Sequence, residues 1–121
     1  MTKAISGNYL RIYRRKAGLS QPDLAAIIGH ASAWQIDRHE KNKNVPPLLT
    51  ALAYEALFNV PVSTLFIGLY ETVEHGIQAN LLDFEAQLES LSAAGKAKLV
   101  AHRLMWLSAR RNAAKIQRPQ L

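Results

Sequence analysis

Residues 9–47, YLRIYRRKAGLSQPDLAAIIGHASAWQIDRHEKNKNVPP, decide how this chain is read. Leu10, Tyr13 and Ala17 recur at helical spacing, which predicts a helix over about residues 7–17. Gly18 follows as the expected left-handed stop. Ser20-Gln21-Pro22-Asp23 then has the form of a capping box, in which the Ser20 hydroxyl accepts the Asp23 N–H and the Asp23 carboxylate accepts the Ser20 N–H. Pro22 sits in the first turn, where a missing N–H costs nothing. A second helix is therefore expected over 21–28, with Leu24, Ile27 and Ile28 inward, Ala25 small enough for a close crossing, and Gly29 at its end. After His30-Ala31, Ser32-Ala33-Trp34-Gln35 repeats the capping logic and predicts a third helix over about 33–41.

That third helix has an uneven composition. With Ile36 inward, a rotation of about 100° per residue puts Ser32, Ala33, His39 and Glu40 on the inner half. Trp34, Arg38 and Lys41 then face outward, with Gln35 and Asp37 on the flanks. So little apolar material makes a weak packing element. It suits a helix whose outer face is used.

Downstream, Pro46-Pro47 open a fourth helix carrying Leu48, Leu49, Leu52, Ala53, Ala56 and Leu57, expected to be the core pillar and to end at Asn59. Val60-Pro61-Val62-Ser63 starts a brief fifth helix to Leu65-Phe66, and Gly68 is expected to break the chain. Beyond it, Leu69, Val73, Ile77, Leu81, Phe84, Leu88 and Leu91 form a stripe that predicts one long helix over about 69–91. The stripe should be buried either against the last helix or across a two-fold axis, and its length, more than a short terminal helix covers, favours two copies. Ser92 to Gly95 is a joint, and Lys96 to Ala114 a last amphipathic helix with Leu99, Val100, Leu104, Trp106 and Leu107. The expected fold is all-α: a five-helix domain over 1–68, then two longer helices over 69–121 that serve dimerisation and end in a basic tail.

A chain of 121 residues buries roughly 65% of its unfolded surface, enough for one real core. No stretch approaches the ~20 apolar residues of a membrane span, and MTKAISGN lacks the apolar core of a secretory leader. Without Cys there is neither a disulfide framework nor a thiolate metal site. A cytoplasmic location without membrane contact is expected. Net charge is +6, in blocks of +5 over residues 1–46, −6 over 47–95 and +7 over 96–121. The first basic block coincides with the capped helices, which points to a polyanion partner there. The bases of 110–121 read equally well as a solvated tail.

Leu10-Arg11, Arg14-Arg15-Lys16-Ala17-Gly18-Leu19-Ser20-Gln21, Leu24-Ala25 and Gly29, followed by Ile36-Asp37-Arg38-His39-Glu40 and Pro46, resemble the phage-repressor/Cro-like (XRE) helix-turn-helix regulators over about residues 7–68. The resemblance implies a five-helix domain that binds operator DNA through its third helix, usually as a dimer. It also implies an ion pair between Arg14 and Glu40 that ties the first helix to the third. This chain has His at 39, where the family tends to place an aromatic or aliphatic residue, and its turn before the third helix is one residue longer than the shortest in the family.

The DNA-binding candidates are Gln21, Ser32, Trp34, Gln35, Asp37, Arg38, Lys41, Lys43 and Asn44. Arg38 can fork to guanine O6 and N7, a contact worth ~1–3 kcal/mol of discrimination. Trp34 either touches a thymine methyl or packs on protein. Gln35 either reads adenine or is used by the cap begun at Ser32. Gln21, at a helix N-terminus, suits a phosphate oxygen, and Lys41, Lys43 and Asn44 are phosphate candidates by charge and position. No catalytic or metal-binding set and no cofactor is expected: His30, His39, His75 and His102 are scattered, and H-E-x-x-H, P-loop and Rossmann glycine patterns do not occur. Glu71, Glu74, Asp83, Glu85 and Glu89 read as a solvated face or a partner for the basic last helix. The expectation is a sequence-specific DNA-binding repressor acting as a homodimer. The rivals are an antitoxin whose extension neutralises a toxin, and an adaptor that kept the fold without binding DNA.

Overall fold

The computed structural model describes residues 8–117, with side chains to residue 114. It is all-helical, and no strand occurs among the described residues. The helices are α1 (Leu10–Lys16), α2 (Gln21–Ile28), α3 (Ala33–Glu40), α4 (Leu48–Phe58), α5 (Val62–Leu65), α6 (Ile67–Ala93) and α7 (Ala97–Gln117). The chain divides into two compact units, residues 1–74 and 75–121, within α6.

Local chemistry sets the ends of the early helices. Gly18 adopts φ +73°, and the Leu19 N–H reaches back to the Arg14 carbonyl at 3.2 Å, which closes α1. Ser20 and Asp23 bond each other reciprocally at 3.0 and 3.1 Å. Ser32 and Gln35 do the same at 2.8 and 3.1 Å. The core of the first unit gathers Leu10, Leu24, Ile28, Ile36, Tyr54, Leu65 and Phe66. The Tyr9 N–H donates to the Leu65 carbonyl at 2.9 Å, fastening the entry of α1 to α5.

Three expectations are corrected here. Ile27 is exposed, because Leu24 and Ile28 already supply the buried stripe of α2. α4 meets the core through fewer of its leucines than expected: Leu48 (72% exposed), Leu49 and Leu52 face out, while Thr50, Ala51 and Tyr54 are buried and Ala53 and Leu57 pack against the core. A tyrosine can fill the core because its hydroxyl has a buried partner in His39, and small Ala51 lets the helix approach. Gly68 does not break the chain. The break falls at Phe66 (φ −117°, ψ +51°), and Gly68 lies in the first turn of α6.

In the second unit, the chain from His75 folds back on itself as a helical hairpin. Gly95, at φ +92°, makes the turn, with the Lys96 N–H donating to the Leu91 carbonyl at 3.1 Å. Leu88, Val100 and Leu107 are buried in its seam, joined by Leu81, Phe84, Leu91 and Leu104. The long stripe is therefore divided. Leu69 packs on the first core, Val73 and Ile77 are exposed, and the rest is covered by α7 of the same chain. The α7 residues that cover it, Val100, Leu104 and Leu107, all lie within the last helix expected from the sequence. Arg111 bonds Glu85 at 2.5 Å, so the acidic side of α6 does meet the basic last helix. Residues 118–121, the end of the expected basic tail, lie outside the described residues.

Candidate nucleic-acid interface

The site is built on α3, whose two sides have separate work. Inward, Ile36, His39 and Glu40 are buried. Glu40 receives Arg14 as a fork, with Nε to Oε2 at 2.5 Å and Nη2 to Oε1 at 3.1 Å. The remaining Arg14 nitrogen, Nη1, donates to the Leu19 carbonyl at 2.9 Å. One guanidinium thus ties α1, the loop before α2 and the end of α3. The carboxylate beside it raises the Arg14 pKa further, so Arg14 stays charged. The expected Arg14–Glu40 contact is present and buried.

His39 solves a second packing problem. Its Nδ1 lies 2.8 Å from the Tyr54 hydroxyl, and the rings meet nearly edge to face at 75°. Burial lowers the His39 pKa, which keeps the ring neutral, and the tautomer sets which of His39 Nδ1 and the Tyr54 hydroxyl donates. Burial also raises the Tyr54 pKa, with the Glu40 charge adding to the effect. Histidine at this position is therefore a packed, hydrogen-bonded core residue.

Gln21 is engaged within the protein. Its Nε2 donates to Asp37 Oδ1 at 3.1 Å and to Glu40 Oε1 at 3.2 Å, so both amide hydrogens buttress α3. Asp37 also pairs with Lys41 at 3.0 Å. The Gln21 amide first, and Lys41 second, hold the Asp37 carboxyl below the usual range. Ser32 and the Gln35 side-chain carbonyl are spent on the cap, which leaves Gln35 Nε2 as its free donor.

The outward side is different. Trp34 is 64% exposed, and the Arg38 guanidinium lies over its ring, 4.9 Å from the centroid. With the Asn44 amide oriented to satisfy its neighbours, its carbonyl accepts from Arg38 Nε at 3.0 Å and its Nδ2 donates to the Lys43 carbonyl at 2.7 Å. The Lys43 N–H returns to the Arg38 carbonyl at 2.9 Å, so the loop after α3 closes against the same residue. The Lys43 side chain is exposed and forms no ion pair among the described residues.

Three contributors escaped the sequence reading. The Asn8 side chain donates to the His39 carbonyl at 2.8 Å and to Asn42 Oδ1 at 2.7 Å, fixing the end of α3 from before α1. Asn42 adopts φ +58°, a conformation that Asn tolerates, and an Asn ahead of a basic loop was the available signal. Arg11 lies near enough for its charge to help lower the Asp37 pKa.

Among the described residues, no group of three or more His, Asp or Glu is placed to hold a metal ion, and no helix is long and apolar enough to cross a membrane. No family model matches the chain, and neither the curated proteins nor the solved structures yield a match.

Proposed function

We propose that this protein is a cytoplasmic, sequence-specific DNA-binding regulator of the repressor type, reading the major groove with α3 and acting by binding rather than catalysis. One observation carries the reading. The inward side of α3 is locked by Ile36, His39 and Glu40, while Trp34, Arg38, Lys43 and Asn44 take no part in the core. Such a division suits a helix held rigidly so that its outer side chains meet base edges. The Gln21 backbone N–H, at the start of α2, is the phosphate donor there in place of its amide.

A homodimer fits this reading, since one eight-residue helix offers few base contacts. Beside the exposed Leu48, an apolar groove of about 530 Å³ runs between Val45, Val62, Phe66, Leu69 and Val73. On this reading a second copy is the cover of that groove. The antitoxin alternative draws support from α7, which exposes Leu99, Met105 and Trp106 beside its bases.

Selection of bound sequences from a random duplex pool tests the reading. The expected result is an inverted repeat with half-sites about one helical turn, ~34 Å, apart. Arg38→Ala should cost ~1–3 kcal/mol and erase preference at one G·C pair per half-site. Lys43→Ala should weaken all sequences alike and flatten the salt dependence. A wild-type protein that enriches no sequence would overturn the proposal.

A further inference from the structure

Arg38 is held from two sides by residues that the fold does not need. Trp34 precedes it by one helical turn, so the two side chains are neighbours without any change of backbone. The guanidinium carbon lies over the indole, 4.9 Å from the ring centroid, and the Asn44 amide oxygen, from the following loop, takes the Nε hydrogen at 3.0 Å. The terminal nitrogens Nη1 and Nη2 make no hydrogen bond among the described residues. Trp34 remains largely in water, so the contact gives the core nothing.

We propose that Trp34 and Asn44 are specificity-determining positioning residues that act through Arg38. They present its Nη1/Nη2 fork end-on to O6 and N7 of one guanine in each half-site. This rests on the DNA-reading assignment above and names the part of it that sets base preference. The ring holds the guanidinium at one place over its face, and Asn44 fixes the direction of the Nε–H. A phosphate contact needs neither, because a phosphate oxygen accepts a donor over a wide range of angles and carries no sequence information. A guanine edge needs two parallel donors in one plane, which the two terminal nitrogens supply once Nε is committed elsewhere. An arginine held in this way loses less freedom on binding than a free one.

The test uses the full chain and variants at exposed positions. In the absence of DNA, the Arg38 Nε–H resonance should shift in Trp34→Leu and in Asn44→Ala, and stay near its place in Trp34→Phe, which keeps an aromatic face. Selection and affinity measurements follow. Trp34→Leu should weaken the selected site roughly two- to five-fold, the range of an exposed cation–π contact. The loss should fall at the same base pair that Arg38→Ala affects and add nothing in the Arg38→Ala background. Trp34→Phe should restore the preference. An Nε–H signal unmoved in both variants overturns the proposal. So does a Trp34→Leu loss that adds fully to Arg38→Ala or falls at another base pair, since the indole then reads DNA itself. A protein whose Nε–H shifts as expected but which enriches no sequence refutes the regulator reading, and this role goes with it.

Discussion

In the first unit, α3 is fixed by directional polar contacts: the Arg14–Glu40 fork, the His39–Tyr54 bond, and the Gln21 amide shared between Asp37 and Glu40. In the second, Leu88, Val100 and Leu107 join the two helices through an apolar seam, with the half-exposed Arg111–Glu85 pair at its edge. Hydrogen bonds and ion pairs specify distance and angle. Apolar contact rewards burial and tolerates sliding. The contrast indicates that orientation matters for α3 and that cohesion suffices for α6 and α7.

The largest effect should come from the buried fork. Glu40→Ala leaves Arg14 charged with its side chain only 8% exposed, and removal of one partner of such a pair costs about 3–5 kcal/mol. Urea denaturation would read the loss, and hydrogen exchange should show α7 amides unaffected. A cycle with Arg14→Ala should be strongly non-additive; purely additive losses would mean that the fork contributes no coupling.

Next in size is Leu107→Ala, in the seam. It should cost about 2–3 kcal/mol, the low end for a buried leucine, because a two-helix seam can close around the void. Exchange protection should fall in α7 while α1 to α4 keep theirs. Equal loss in both units would show that they unfold as one, and the contrast between them would fail.

The smallest effect is in pH. His39 is held neutral in the fold by burial, so below the ordinary histidine pKa of about 6.5 the unfolded chain takes up a proton that the folded chain refuses. Stability should fall as pH drops from 7 toward 5, by at most about 1.4 kcal/mol per unit. The lowered carboxylates Asp23 and Asp37 contribute losses only at more acid pH. In the 7-to-5 window, His39→Phe should flatten the dependence. A wild-type stability that is level across the window would show that the ring takes up its proton inside the fold.

Much of the first unit was legible because its signals are local. Ser20, Gly29, Ser32 and Asn59 act on backbone within a few residues, so α2 and its caps could be read directly, and the inward turn of His39 and Glu40 followed from Ile36. Apart from the break expected at Gly68, the misplacements are cases of which neighbour a side chain meets. A helix apolar on every side, such as α4, does not reveal which side faces the core, so Leu48 and Leu49 were misplaced and Tyr54 overlooked. The engagement of the Gln21 amide within the protein is hidden from the sequence because its two acceptors, Asp37 and Glu40, lie 16 and 19 residues away. The outward face of Trp34 and Arg38 was visible from periodicity, but their stacking depends on rotamers, which spacing does not encode.

The separation of duties on α3 has a bearing on how such a protein diverges. Its interior is supplied by Ile36, His39 and Glu40, so the outward positions 34, 38 and 44 can change with little effect on that interior. On the proposed DNA-reading role, duplicated copies acquire new addresses in a genome by changing those few letters, each keeping the same folded frame. Arg14, Gln21 and Tyr54 would stay constant among them, and a reader of such paralogues would find the constant residues behind the helix and the variable ones in front of it.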